Sequence, residues 1–234
     1  MRRRMVLTAA VHSLLLLGAS YGILAQQPSA APAKAGKAKA KAARPALFFR
    51  EDWKQVPTNQ EHGVNQESLA NPNLELKLYG PSATEIQMTG TTGEETNPPH
   101  VWTGLCPSAC AATLRDKNNF ADLTGLGRIK WVTKVSGYHL VRPVVKLADG
   151  TMLVGDHTHG STADWLTDDI AIPDLRWRRL DPERVVTVGE WVANPDLSKV
   201  DEIGFADLMP GSGHGQGGWS DVGVIEVYGK PVKR

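Results

Sequence analysis

The densest cluster of polar functional groups lies between Gly155 and Trp165. His157 and His159 are two residues apart, so on an extended strand both imidazoles project from the same face. Together with a carboxylate from Asp156 or Asp164, they can bind a transition-metal ion. The same groups can instead orient the hydroxyls of a sugar, and an H-x-H pair is too common to decide between the two interpretations.

Three tryptophans lie in or beside loops rich in small polar residues: Trp102, Trp165 and Trp219. An exposed indole ring can stack on a sugar ring while nearby polar groups bond the hydroxyls. His214 lies in a glycine-rich run, 211–218, just before Trp219. The alternative is that these rings cap the ends of a hydrophobic core. The predicted ligand-binding residues are Trp102, Asp156, His157, His159, Asp164, Trp165, His214 and Trp219.

Catalytic signatures are sparse. The sequence has no G-x-S-x-G, no H-E-x-x-H and no Cys–His signature. A two-carboxylate glycosidase stays open, because four aspartates are close in sequence and a glutamate pair lies elsewhere: Asp156, Asp164, Asp168, Asp169 and Glu94-Glu95. Such groups also suit a structural calcium ion. We therefore expect a non-catalytic binding domain without a cofactor. The alternatives are a secreted polysaccharide hydrolase or lyase using His157, His159 and Asp164, and a protein-interaction scaffold.

The two cysteines, Cys106 and Cys110, are separated by three residues. A pair this close in an exported protein can close a small disulfide loop. Zinc is disfavoured here, because it usually takes four ligands and the chain has no second cysteine pair. A disulfide is expected, with free thiols as the alternative.

The elements that must position these groups are short strands. Residues 74–79 and 128–135 alternate apolar and polar side chains, which indicates half-buried strands with Ile129 and Trp131 facing inward. Ala148-Asp149-Gly150 between two apolar runs predicts a hairpin turn. Helical periodicity is not sustained anywhere. The pattern predicts an all-β jelly-roll sandwich as a single domain over residues 46–234, with Trp53 and Trp177 also in its core.

Two segments resemble a known fold family. Residues 122–131, DLTGLGRIKW, resemble the strand entry of galactose-binding-like jelly rolls, which include carbohydrate-binding modules and the complex I intermediate-associated protein family. Residues 200–205 and 222–229 resemble the last two strands of those folds, with Asp221 leading into the final strand. The resemblance implies a jelly-roll fold. The stretch from Leu180 to Lys199 departs from it as a long insertion.

The N-terminal segment has the features of an export signal. Three arginines precede an apolar stretch from Val6 to Leu17, and small residues lead to Ala25. Residues 1–25 are therefore predicted to be a cleaved signal peptide, with an uncleaved membrane anchor as the alternative. Residues 26–45 contain no large apolar side chain and predict a disordered cationic tether. The mature chain, without a transmembrane span, is expected to be secreted or periplasmic.

Charge divides unevenly along the chain. Eight of the 26 basic residues and none of the 25 acidic residues precede residue 46, so the predicted domain holds 18 basic and 25 acidic groups, a net charge of −7. Nucleic-acid binding needs a basic surface, and this balance excludes that class of partner. A carbohydrate or cell-surface polymer is the expected partner, and the sequence does not indicate an oligomeric state.

Overall fold

The computed structural model describes residues 44–55, 60–162 and 164–234. The predicted signal peptide, and the tether apart from its last two residues, lie outside these ranges. Within the described residues no helix is both long enough and apolar enough to cross a membrane.

The regular secondary structure of the described residues is almost entirely antiparallel β-strand. The strands, labelled in chain order, are β1 (Leu47–Glu51), β2 (His62–Gly63), β3 (Leu74–Tyr79), β4 (Gln87–Thr89), β5 (His100–Trp102), β6 (Cys110–Asp116), β7 (Asn119–Asp122), β8 (Arg128–Val135), β9 (Val141–Leu147), β10 (Met152–Gly155), β11 (Leu166–Ala171), β12 (Trp177–Asp181), β13 (Val186–Val192), β14 (Val200–Asp207), β15 (Ser220–Tyr228) and β16 (Lys230–Lys233). Three short 3₁₀ helices span Gln66–Ser68, Ala83–Glu85 and Ile172–Asp174.

A seven-stranded sheet forms one layer, in the order β11-β8-β15-β5-β4-β2 with β1 also paired to β15. The long strand β15 has two differently paired halves. Its first residues, Asp221 and Val222, pair with β5, whereas Ile225 to Tyr228 pair with β1. Strand β8 pairs along both halves on the other side, with a register shift between Val222 and Ile225.

A nine-stranded sheet forms the second layer. Its order is β13-β12-β10-β9-β14-β6-β3, with β7 joining β14 and β16 joining β7. The chain repeatedly crosses between the layers: β8 is followed by β9 in the other sheet, and β14 by β15. This alternation between two antiparallel sheets confirms the predicted all-β jelly-roll sandwich.

The main core lies between the sheets. Strand β8 alternates strictly: Ile129, Trp131, Thr133 and Val135 are fully buried, and the residues that alternate with them are half-buried. Trp53 and Trp177 are also buried in this core, as predicted. Such large apolar side chains stabilise a sandwich because each removes much surface from water.

Several predicted elements occur where the sequence placed them. The Ala148-Asp149-Gly150 turn joins β9 to β10, and Gly150 adopts a φ of 87° there. The insertion from Leu180 to Lys199 forms a hairpin strand, β13, on the outer edge of β12. Val185, at the tip of that hairpin, is buried in a second apolar cluster with Val144, Val154 and Ala206.

The predicted disulfide is not formed in the structure. Cys106 and Cys110 are free thiols, and both are fully buried in the main core. The sequence prediction placed the pair in a loop, whereas Cys110 begins β6, which lies between β14 and β3. A hydrogen bond with the Cys106 thiol, followed by burial, raises the pKa of Cys110 well above its usual value. The two thiols pack as small apolar side chains.

Candidate functional site

A groove of about 380 Å³ lies on the outer face of the seven-stranded sheet. Its floor is formed by adjacent strands, because Asp221 of β15 is in register with Trp102 of β5 and with Lys134 of β8. Side chains alternate along β5, so the neighbouring Val101 points into the core while Trp102 faces the groove. The lining residues are Glu61, Thr89, Asn97, His100, Trp102, Lys134, His214, Trp219 and Asp221.

Trp102 is the buried base of this groove rather than an exposed platform. Only 5% of its surface is accessible. One side of its ring lies against Gly104, where a Cβ atom would come within 2.1 Å of the indole, so no larger residue fits there. The His214 imidazole is stacked on Trp102 at 4.9 Å between centroids and 15° between planes. His214 therefore covers Trp102 and is itself exposed.

Trp219 and Trp165 extend the aromatic surface on either side. The half-buried Trp219 meets His214 edge to face, with centroids 5.1 Å apart. Trp165 makes a similar edge contact at 5.0 Å with His100, which lines the same groove. The indole N–H of Trp165 donates to the carbonyl of Thr96 at 3.2 Å. The three predicted tryptophans thus belong to one continuous cluster.

His100 is the polar centre of the groove floor. Its Nδ1 donates to the carbonyl oxygen of Pro98 at 2.7 Å, which fixes the ring. Its Nε2 lies 3.5 Å from a carboxylate oxygen of Asp221. Gly90 makes this packing possible: it has a φ of 94°, and a Cβ atom there would meet the Pro98 carbonyl oxygen at 2.1 Å.

The glycine-rich loop that carries His214 is closed by its own hydrogen bonds. The Ser212 hydroxyl accepts from the backbone N–H of Gly218 at 2.8 Å, and the Ser212 backbone N–H donates to the Gly218 carbonyl. The backbone N–H of Gly213 donates to Gly104, the residue beneath Trp102. These bonds hold His214 over Trp102, although the loop sequence alone predicts flexibility.

The predicted histidine pair forms a separate cluster with Asp168, a carboxylate that the sequence did not assign to these histidines. Nε2 of His157 hydrogen-bonds to Oδ2 of Asp168, and Nδ1 of His159 lies 3.3 Å from the same oxygen. Burial alone would raise the pKa of Asp168, but the hydrogen bonds from His157 and then His159 outweigh it and lower that pKa below its usual value. Among the described residues that line the groove, none belongs to this cluster.

The other two predicted carboxylates do not join the histidines. Asp156 accepts both the backbone N–H and the guanidinium Nε of Arg176, at 2.9 and 2.7 Å. Burial opposes ionisation of Asp156, but these bonds prevail and its pKa is lowered. Asp164 is exposed and accepts the backbone N–H of Trp165. Both carboxylates serve local structure.

Sequence reasoning missed His100, Asp221 and Lys134 as groove residues. His100 is two residues before Trp102, so period-two alternation could have placed both on one face. Asp221 and Lys134 come from other strands, and only the sheet register reveals them. Trp191 was also missed: it is 47% exposed on β13, with the Arg176 guanidinium 4.5 Å from its ring centroid.

No family model and no curated protein matches the chain. Solved structures do resemble it. A family 11 carbohydrate-binding module of the cellulosomal cellulase Lic26A-Cel5E of Clostridium thermocellum is 16% identical, with 73% of this chain and 95% of that chain covered and a TM-score of 0.43.

Two further structures are similar at lower scores. The carbohydrate recognition domain of Emp47p is 8% identical, covering 81% of this chain and 99% of that one, with a TM-score of 0.39. An exo-beta-agarase is 10% identical over 74% of this chain and 26% of that one, with a TM-score of 0.38.

Proposed function

We propose that this domain binds carbohydrate without catalysis in the groove formed by His100, Trp102, His214, Trp219 and Asp221. The observation that carries the proposal is the aromatic cluster, in which an exposed imidazole and a half-buried indole stand beside carboxylate and ammonium groups. Ring faces bind the apolar C–H face of a sugar, and charged groups at the edges bond its hydroxyls. The volume of about 380 Å³ lies in the range of small-molecule sites.

In this proposal the imidazole of His214, stacked on Trp102, contacts the sugar directly. A sugar entering the groove meets the imidazole of His214 and the ring of Trp219, while Trp102 supports His214 from below. Asp221 and Lys134 are neighbours across the sheet, so they present an acceptor and a donor side by side. This combination suits vicinal hydroxyls, which donate to one group and accept from the other.

The proposal extends to an exported protein whose partner is an extracellular or cell-surface polysaccharide. The support is the sequence of residues 1–45, with its basic start, apolar stretch and cationic tether. Detection of the processed chain in the periplasmic or culture fraction, with its N-terminus sequenced, tests this part. A chain retained in the cytoplasm with Met1 intact contradicts it.

Affinity electrophoresis on a panel of plant and bacterial polysaccharides tests the binding function. We expect retardation on at least one polymer that remains intact, and Trp219→Ala should weaken that binding about tenfold or more, as loss of an aromatic contact does. Trp191→Ala is the matched control, because it removes an exposed tryptophan outside the groove.

The outcomes separate the candidate functions. Degradation of the polymer would establish an enzyme, and the absence of retardation across the panel would favour a protein-interaction scaffold. Retardation abolished by Trp191→Ala but not by Trp219→Ala would move the site to the edge of the nine-stranded sheet, away from the proposed groove.

A further inference from the structure

Three side chains with metal-binding atoms converge where the two sheets meet. His157 and His159 follow β10 of the nine-stranded sheet, and Asp168 lies in β11 of the seven-stranded sheet. One nitrogen of each imidazole and a carboxylate oxygen all lie within 4.8 Å of one another. Asp168 is 11 residues from His157 and 9 residues from His159 in the sequence. The three side chains meet because the chain passes from one sheet to the other between them.

The backbone around the cluster fixes these side chains in place. His159 is held by a bridge to Val141, in which each backbone N–H donates to the other residue's carbonyl at 3.3 Å. Asp168 is held by pairing with Trp131 of β8, whose side chain is fully buried. The side chains remain partly accessible, at 30% for His157, 11% for His159 and 21% for Asp168. An ion can therefore reach them from solvent.

The adjacent acidic residues are already bonded elsewhere. Asp169 forms a bidentate ion pair with Arg128. Asp156 is bonded to Arg176. The Asp168 carboxylate, in contrast, has both imidazoles directed at the same oxygen. Two imidazole nitrogens facing one carboxylate oxygen form a mixed donor set for a single cation.

We propose that His157, His159 and Asp168 bind one divalent zinc ion that joins the two sheets. Two imidazoles and a carboxylate leave a fourth position for water, and this donor set suits zinc. Zinc bonds of 2.0–2.1 Å place tetrahedral ligand atoms about 3.3 Å apart. The present separations, none above 4.8 Å, reach that arrangement by small side-chain rotations.

The ion would order the connection from β10 to β11. That connection also carries Trp165, which contacts His100 in the groove. The zinc proposal does not depend on the proposed carbohydrate function, since its ligands are outside the groove lining. A failure of either proposal therefore leaves the other standing.

Isothermal titration of the purified, tag-free, chelator-treated chain with zinc chloride tests the site. We expect one equivalent to bind, with a rise in Tm when zinc is added, because a ligand that binds only the folded state stabilises it. Cobalt(II) should give the visible absorption of a tetrahedral site. Asp168→Asn and His157→Gln should each weaken zinc binding at least tenfold.

Matched controls identify the site. Asp169→Asn removes the neighbouring carboxylate and His62→Gln removes an imidazole at β2, so both should bind zinc like the parent chain. Far-ultraviolet circular dichroism confirms that each variant is folded, and the more exposed His157 gives a second test if Asp168→Asn unfolds. Absence of zinc binding by the parent chain, or full binding by both ligand variants, overturns the proposal.

Discussion

At the scale of single residues, the groove depends on a layer of three groups: the Gly104 backbone, the Trp102 ring and the His214 imidazole. Trp102 is confined from both sides, so its position determines where His214 stands. A glycine outside the groove lining therefore helps to fix the position of the aromatic residues.

Gly104→Ala should displace Trp102, because the new Cβ would lie 2.1 Å from the ring. We expect a loss of about 1–3 kcal/mol in the free energy of unfolding, the usual effect of overpacking, together with weaker polysaccharide binding. Urea unfolding and affinity electrophoresis measure the two effects. The control is Gly160→Ala, where the backbone φ lies outside the left-handed region and the added Cβ would meet only Leu140, at an ordinary contact distance of 3.6 Å. Unchanged stability of Gly104→Ala would contradict the packing argument.

The buried thiols give a second prediction at this scale. Because the contact with Cys106 and burial raise the pKa of Cys110, little thiolate forms at neutral pH. Ellman's reagent should react slowly with the native chain and should titrate two thiols once it is unfolded in guanidinium. No reaction after unfolding without reductant would mean that Cys106 and Cys110 are joined as a disulfide.

At the scale of elements, the side chain of Ser212 closes the two ends of the glycine-rich loop by a hydrogen bond. Ser212 bonds the backbone of Gly218 at the far end of the loop, and the His214 ring lies between them in sequence. This local closure adds to the Gly213–Gly104 hydrogen bond and to the stacking of His214 on Trp102, which dock the loop on the sheet.

Ser212→Ala should loosen the loop without unfolding the domain. The loss of one hydrogen bond at a half-exposed position costs about 1 kcal/mol, so binding should weaken about fivefold while Tm changes little. Ser198→Ala, in a loop outside the groove lining, is the control. Equal binding by Ser212→Ala and the parent chain would show that the closure does not position His214.

Arg234, near the C-terminal end, is bound by an ion-pair network in which Asp201 of β14 pairs with both Arg234 and Arg115. Burial opposes ionisation of Asp201, but hydrogen bonds from Arg234 and Arg115 outweigh it and lower the pKa of Asp201. A lowered folded-state pKa contributes stability above the unfolded value of about 3.9. That contribution is lost as the pH falls through the folded-state pKa.

Asp201→Asn should therefore destabilise the chain at pH 7 by about 1 kcal/mol, the scale of a partly exposed network, and by less at pH 3. Urea unfolding of the parent and the variant at both pH values measures the difference. Asp174→Asn removes an exposed carboxylate and should have little effect at either pH. A stability difference that stays constant between pH 7 and pH 3 would exclude the ionised pair as its cause.

At the scale of the whole molecule, the sequence predicts the strands that have one buried face. Residues 128–135 alternate because one side of β8 packs in the core. Strands β11 and β13 were not predicted as strands, because they are edge strands whose side chains are mostly exposed and leave a weak pattern. Strand β6 was missed because its small residues and Cys110 suggested a loop.

The candidate site was only partly predictable for a related reason. The two-residue spacing correctly grouped His157 with His159, although both lie in the connection after β10 rather than in a strand. Asp168, however, comes from the opposite sheet, and only the fold brings it to them. The sequence also predicted that those histidines share a site with Trp102 and Trp219, whereas the structure places them outside the groove. The prediction relied on their closeness in sequence to Trp165, which does not determine the face that a side chain occupies.

The divided pairing of β15 places the groove and the first strand, β1, at opposite ends of one long strand. The groove lies beside Asp221, whereas Leu47 pairs with Tyr228 at the other end of the same strand, about 20 Å away. Lys230 begins β16 immediately beyond that far end. A support attached ahead of β1 would therefore hold the domain at the end of β15 that lies far from the groove, and would leave the end that carries the groove unattached.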